Sequence, residues 1–120
     1  MSATDIVRIA EPGPAAEEGT PSRVLSGEPR TKTRNYYADS AEHFYAGIWE
    51  STPGKWQVEY SEHEFVQLLA GRVVLTDVEG RAERFGPGDS FVIPAGYRGT
   101  WETVEPVRMC GRRMRASSGW

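Results

Sequence analysis

The chain has 120 residues, a formal net charge of -3 and 38% hydrophobic residues, with 13 glycines and 8 prolines. This length supports one hydrophobic core, and the many turn-forming residues favour a β protein over a helical bundle. The mild charge excludes the basic footprint of a nucleic-acid-binding protein, and a single cysteine, Cys110, excludes an internal disulfide. No segment approaches the roughly 20 apolar residues of a membrane span. We therefore expect a cytoplasmic protein with neither membrane nor nucleic acid as a partner.

Residues 1–30 are predicted to form an N-terminal arm. Residues 11–30 are rich in proline, glycine, glutamate, serine and threonine, so they bury too little apolar surface to offset their ordering entropy. Ile6, Val7 and Ile9 are apolar, so a flexible arm and an arm docked on the domain or on a second subunit both stay open. Residues 31–115 are predicted to form the folded domain, and residues 116–120 a loose tail.

From Thr33 onward, short alternating runs are separated by proline and glycine, which is typical of antiparallel strands in a sandwich or barrel. Gly71 and the β-branched residues after it favour strand over helix in that region, although a helical period also fits. The predicted strands are 34–37, 44–50, 55–61, 64–70, 72–78, 81–85, 90–93, 99–104 and 107–114.

Residues 86–96 have the sequence Gly-Pro-Gly-Asp-Ser-Phe-Val-Ile-Pro-Ala-Gly, which predicts a tight turn, a short apolar strand and a second tight turn. Together with the glycines, prolines and tryptophans of 47–56, 60–71 and 98–102, this segment resembles the small single-domain cupins grouped with the cupin domain of (S)-ureidoglycine aminohydrolase. The resemblance covers residues 35–110. It implies an all-β cupin double-stranded β-helix, a jelly-roll barrel of two antiparallel sheets.

Cupins of this kind carry three histidines and one glutamate that converge on a metal inside the barrel. Glu64 matches the glutamate position. The first two histidine positions fall on Val58 and Tyr60, or on the residue before each with a longer spacer, and the third falls on Gly99. A single carboxylate does not hold a transition metal, since such sites need three or more protein ligands. We therefore predict no metal and no cofactor.

Other chemically reactive residues have ordinary structural explanations. His63 and Glu64 are neighbours on one strand and should point to opposite faces, so an exposed turn position is expected for His63. His43 lies in a polar turn, and Cys110 is expected to be a buried, inert thiol. The arginines of residues 108–115 predict a solvated basic face.

Strand alternation predicts which residues line the barrel. The expected ligand-binding residues are Trp56, Tyr60, Glu64, Tyr97, Arg98 and Trp101. Glu64 is the only candidate catalytic acid or base, because burial would raise its pKa. An equally open alternative is a filled core, with the tryptophans occupying the interior and Tyr60 hydrogen-bonded to Glu64. On the outer face, Phe65 and Leu69 predict a homodimer interface.

The sequence is compatible with three functions. The first is a cupin without the usual histidine ligands that binds a small polar or aromatic metabolite. The second is an enzyme acting on a nitrogen-containing small molecule, as the resemblance to ureidoglycine aminohydrolase implies. The third is a structural or partner-binding dimer without catalysis. Enzymatic activity stays open, although the ligand count argues against metal-dependent chemistry.

Overall fold

The computed structural model of the chain describes residues 4–115, in which all regular structure is β-strand. These residues contain no helix long and apolar enough to cross a membrane. The predicted tail, 116–120, lies outside the described residues. The strands are β1 (Glu17–Gly19), β2 (Val24–Gly27), β3 (Thr31–Ala38), β4 (Phe44–Ser51), β5 (Gly54–Glu59), β6 (Glu62–Asp77), β7 (Ala82–Phe85), β8 (Ser90–Ile93) and β9 (Arg98–Arg115).

β9 is the centre of one continuous antiparallel sheet. β6 pairs with β9 along one side, and β4 and β5 follow each other along the other side. β3 and β1 extend the sheet beyond β4, and β2 lies beside β5. β8 and β7 pair with the far edge of β6. Three long segments, 44–59, 98–115 and 62–77, therefore run side by side through the whole molecule.

All three long segments are interrupted at the same level, and there the sheet curls. The register of β6 against β9 shifts between Leu68 and Val73, where Gly71 has a φ of 89°. On β9 this level corresponds to the exposed residues 104–106, and between β4 and β5 it corresponds to Thr52 and Pro53. The two antiparallel sheets expected from the sequence are thus two halves of one curled sheet, and the prediction of an all-β cupin fold is confirmed.

The strand boundaries need two corrections. The predicted strands 64–70 and 72–78 are one strand, β6, because Gly71 forms a bulge within the ladder rather than a turn. The predicted strands 99–104 and 107–114 are likewise one strand, β9, which passes through Pro106 at the bend. The short strands β1 and β2 were not expected in the arm.

The arm lies against the barrel in this structure. Besides the pairing of β1 and β2, the Arg34 guanidinium donates a hydrogen bond to the Pro14 carbonyl (2.7 Å), and the Tyr36 hydroxyl donates one to Ala10 (3.2 Å). Arg108 forms an ion pair with Glu11 at 3.3 Å. Of the two arrangements that the sequence left open, the structure contains the docked one.

The hydrophobic core lies between the two halves of the sheet. On β6, Glu64, Val66 and Leu68 are buried while Leu69 is 46% exposed, which is the alternation predicted from the sequence. The buried apolar cluster consists of Trp56, Val66, Leu68, Val73, Leu75, Ile93, Trp101, Val107 and Met109.

Candidate functional site

Three indole rings pack together at one end of the interior. The rings of Trp56 and Trp101 are stacked with centroids 6.3 Å apart and an interplanar angle of 27°. Trp49 meets Trp101 edge to face at 5.4 Å and Trp56 at 6.2 Å. Offset and edge-to-face arrangements are the favourable geometries for aromatic pairs. The tryptophans thus form a rigid aromatic wall.

A short chain of hydrogen bonds links the Trp101 ring of this wall to the end of β4. The indole N–H of Trp101 donates to Thr103 Oγ1 (2.9 Å), and the Thr103 hydroxyl donates to Ser51 Oγ (3.0 Å). The Ser51 hydroxyl donates in turn to the Thr52 carbonyl at 2.7 Å. Since a buried N–H without a partner is costly, this chain holds the Trp101 ring in one orientation.

An ion pair with one buried member, Glu64, lines the same space as the wall. Glu64 on β6 and Arg113 on β9 are direct cross-strand partners, and Arg113 Nε donates to Glu64 Oε2 at 2.9 Å. Glu64 is 3% exposed, whereas the Arg113 side chain is 54% exposed. Desolvation raises the pKa of Glu64 above its ordinary value, although the Arg113 charge and hydrogen bond act in the opposite direction and nearby Glu62 adds to the rise.

An open cavity of about 390 Å³ lies between the ion pair and the aromatic wall. A second space of about 320 Å³ shares Trp49, Glu62, Glu64, Met109 and Arg113 with the first, so the ion pair borders both. The first cavity is lined by Thr20, Pro21, Ser22, Thr31, Trp49, Trp56, Gln57, Val58, Glu59, Tyr60, Ser61, Glu62, Glu64, Trp101, Met109 and Arg113. Its first three residues connect β1 to β2, so the arm supplies part of the cavity wall.

A glycine contributes to the open space beside the ion pair. Gly111 lines the second space, and it is the cross-strand partner of Gly47 and Val66. A Cβ at Gly111 would meet only the Phe65 carbonyl at 3.6 Å and the Met109 methyl at 3.8 Å, which are ordinary contacts. A side chain at residue 111 would therefore fit on the backbone and extend toward the second space.

The structure brings four of the six predicted ligand-binding residues to this cavity. Trp56, Tyr60, Glu64 and Trp101 line it. Tyr97 instead packs edge to face against the Tyr60 ring, with centroids 6.3 Å apart.

Arg98 is not brought to the cavity. It is exposed and borders a separate depression of about 310 Å³, together with Arg23 and Asp77. Arg98 therefore does not line the cavity beside Glu64.

Sequence reasoning missed the partner of Glu64. Arg113 was expected on a solvated basic face, but it reaches inward to the buried carboxylate. Strand alternation could have shown its inward position. Arg113 lies an even number of positions after both Met109 and Trp101 on one strand, so the three side chains share its inner face. Trp49, which also lines the cavity, was missed as well.

Two details of the predicted interior differ from the structure. The carboxylate of Glu64 is bonded to Arg113, and no hydrogen bond joins it to Tyr60 within residues 4–115. Gly99 does not leave a vacant space, because a Cβ there would collide with the Thr76 carbonyl and approach Asp77 Cα to 2.9 Å. A histidine at residue 99 is thus excluded by the closeness of β6.

The donor set does not fit a resident cupin metal. Within residues 4–115, no group of three or more histidine, cysteine, aspartate or glutamate side chains is placed to hold a metal ion. His63 lies on the outer groove of β6, where its Nδ1 accepts a hydrogen bond from the Ala95 amide at 3.1 Å.

Comparison with known protein families identifies the family to which this chain belongs. The EutQ-like cupin domain matches residues 38–110, which is more than half of the chain. No curated protein matches the chain.

Solved structures show the same fold. A DUF861 family protein of unknown function from Pseudomonas syringae is 23% identical, with a TM-score of 0.73 over 95% of this chain. This chain spans only 46% of that protein's length. A DUF861 family protein from Thermotoga maritima is 31% identical, with a TM-score of 0.52 over 53% of this chain and 73% of its own. The Clostridium difficile EutQ protein is 15% identical, with a TM-score of 0.64 over 74% of this chain and 65% of its own.

Proposed function

The chain belongs to the EutQ-like cupin domain family, and from that premise we propose that its barrel binds a small polar or aromatic metabolite without a metal. The cavity contains apolar walls and a few convergent polar groups, which is the usual composition of a ligand site. The tryptophans occupy one end of the interior, and the space around Glu64 stays open. A completely filled barrel is therefore the weaker alternative.

The observation that carries the proposal is the buried Glu64 carboxylate, paired with the half-exposed Arg113 beside the open cavity. Removing a carboxylate from water costs free energy that the attraction of a partly solvated partner does not always return. Apolar side chains of similar size would fill a purely structural barrel at least as well. An ion pair at this position is explained if its exposed atoms recognise a polar ligand.

The experiment is a thermal-shift screen of the purified protein against small amines, carboxylic acids, ureido compounds and nucleobases, followed by calorimetric titration of each hit. We expect at least one hit at millimolar concentration or below. The variant Gly111→Leu should weaken binding, because its side chain would extend into the second space, which shares Trp49, Glu64 and Arg113 with the cavity. The control is Val78→Leu, at a hairpin position that is 73% exposed and outside the lining of the cavity. No hit with the wild-type protein, or hits that Gly111→Leu does not affect, would contradict the proposal.

A second candidate function is an enzyme on a nitrogen-containing small molecule, related to ureidoglycine aminohydrolase. Its support is the resemblance of the motifs around residues 47–102, together with the buried Glu64 as a general acid or base. Elemental analysis of protein purified without chelator tests it. Stoichiometric manganese, nickel, iron or zinc that Glu64→Gln releases would raise this candidate above the first.

We also propose that the protein forms a homodimer through the outer face of β6 and β8. The arm covers the neighbouring outer face of β3 and β4, but Val92 is 62% exposed and Leu69 is 46% exposed. Phe65, Val92 and Met114 border an outer groove of about 440 Å³. A two-fold axis would cover this apolar patch with its own copy.

The association test is the mass in solution by light scattering. We expect a dimer for the wild type and a monomer for Val92→Glu, whereas the exposed control Val78→Glu should remain a dimer. A wild-type monomer at high micromolar concentration would exclude this interface. Deleting residues 1–16 separates the remaining alternative, since loss of the dimer only in that variant would make the arm the contact.

A further inference from the structure

We infer that the cavity selects a small organic cation, whose N–H group donates to the free Oε1 of Glu64 and whose apolar part lies against the indole wall. This inference rests on the proposed function and specifies the ligand class. It is drawn from three features of the cavity: its charge balance, an incomplete hydrogen bond and its aromatic surface.

The charged groups around the cavity are predominantly acidic. Glu59, Glu62 and Glu64 line it, against a single cation, Arg113, and no lysine is among its lining residues. Arg113 is already engaged with Glu64 through Nε at 2.9 Å. The remaining negative charge attracts a cationic ligand and opposes an anionic one, because like charges brought together in a partly desolvated site repel each other.

Within residues 4–115, only one of the two carboxylate oxygens of Glu64 accepts a hydrogen bond from the protein. Arg113 donates to Glu64 Oε2, and within the described residues no group donates to Oε1. Glu64 as a residue is 3% exposed, and Oε1 is the carboxylate oxygen without a protein donor among these residues. A charged N–H donor makes the strongest hydrogen bond with a carboxylate. A ligand ammonium or amidinium group would supply the missing donor to Oε1.

The apolar part of the site suits the same ligand class. Trp49, Trp56 and Trp101 line the cavity, and Trp49 is the least buried of the three. Indole rings attract cations through the negative potential of the ring face, and carboxylates beside them add to this attraction. Burial and the Glu64 charge raise the pKa of Tyr60, so its hydroxyl stays neutral and can serve as a further hydrogen-bonding group. The volume of about 390 Å³ is at the small end of ligand sites.

An anionic ligand is the competing class, since the Nη atoms of Arg113 have no other protein partner within residues 4–115. Such a ligand would bring its charge next to Glu62 and Glu64 as well. The two carboxylates outnumber the single guanidinium, and this is why the observations favour the cation.

The test compares three probes of nearly equal size and different charge: benzylammonium, benzyl alcohol and benzoate. Each is titrated into the full chain at pH 7.5 and low salt, by calorimetry and by tryptophan fluorescence. We expect benzylammonium to bind at least about 10-fold more tightly than benzyl alcohol, as a charge-assisted hydrogen bond implies, and benzoate to bind most weakly. Glu64→Gln and, separately, Glu62→Gln should weaken benzylammonium binding by about 10-fold or more while leaving benzyl alcohol within about twofold.

Glu79→Gln is the matched control, since Glu79 is exposed on the β6–β7 hairpin and should not alter any of the affinities. Tighter binding of benzoate, or equal binding of all three probes, overturns the inference while the proposed function stands. Benzylammonium binding that neither glutamine variant weakens also overturns it. Failure of all three probes to bind at millimolar concentration overturns it as well, whereas the proposed function is then decided separately by the metabolite screen.

Discussion

At the scale of single residues, Glu64 contributes to the pH dependence of stability. Its pKa in the folded protein is raised, chiefly because burial penalises the carboxylate, and Arg113 offsets this effect only in part. The folded state therefore holds the Glu64 proton more tightly than the unfolded chain does. The contribution of this group to stability is greatest below the ordinary pKa of glutamate and is lost as the pH rises through the folded pKa.

We predict that Glu64→Gln is at least as stable as the wild type at pH 7.5, because the variant no longer has to ionise a buried carboxyl and the half-exposed Arg113 stays solvated. Its stability should also fall less between pH 5 and pH 7.5 than that of the wild type. The measurement is the free energy of unfolding in urea at both pH values. Glu83→Gln, at an exposed carboxylate on β7, should keep the wild-type slope. A Glu64→Gln protein that is much less stable at pH 7.5 would show that the ion pair stabilises the fold.

The two members of this pair differ in how far the sequence predicted them. Glu64 could be placed because a motif and strand alternation agree on its inward position. Alternation along β9 also gives Arg113 an inward position, but three arginines in residues 112–115 resemble a solvated strand end, and its buried partner was therefore missed. What decides its environment is the pairing of β9 with β6 across a separation of 49 residues in the chain. Long-range register of this kind is not encoded in any local pattern.

At the scale of elements, the bend at Gly71 determines how β6 can belong to both halves of the sheet. Gly71 has a φ of 89°, a conformation that residues with a side chain rarely adopt. A Cβ at this position would lie 2.7 Å from Val107 Cα and would collide with the Pro106 carbonyl. Backbone freedom and close approach to β9 are thus both required at one position.

We predict that Gly71→Ala destabilises the protein much more than Gly80→Ala. Gly80 has a nearly identical φ of 87°, but a Cβ there meets nothing within 4 Å. Gly80→Ala should cost about 1–2 kcal/mol for the left-handed conformation alone. Gly71→Ala should cost at least about 2 kcal/mol more, because the backbone of β9 has to move. Urea unfolding of both variants measures the difference, and equal losses would mean that the close approach at the bend is unimportant.

The strands show why sequence patterns located the elements but not all their ends. Alternation predicted which residues of 64–69 are buried, because burial repeats every second residue along this part of β6. It also suggested a break at Gly71, since glycine is found in turns as well as in bulges. Whether a glycine ends a strand or bends it depends on the neighbouring strand, and here β9 stays paired on both sides of the bend.

At the scale of the whole molecule, the two halves of the sheet share their longest strands. β6 pairs with β9 from Glu62 to Asp77, so the same two strands contribute to both halves. The core is likewise continuous, with Val66 and Leu68 from one half packed in one cluster with Val73 and Leu75 from the other. Neither half can unfold while leaving the strands of the other intact.

We therefore predict that the described part of the chain unfolds in a single cooperative transition. Tryptophan fluorescence reports on the aromatic wall formed by Trp49, Trp56 and Trp101, whereas far-ultraviolet circular dichroism reports on the strands of both halves. In urea the two signals should give the same midpoint, which is the usual test of two-state behaviour in a domain of this size. Gly71→Ala should lower both midpoints equally, because the bend belongs to both halves. Two separated transitions in that variant would mean that the halves of the sheet are independent, and the continuous strands β6 and β9 would then not couple them.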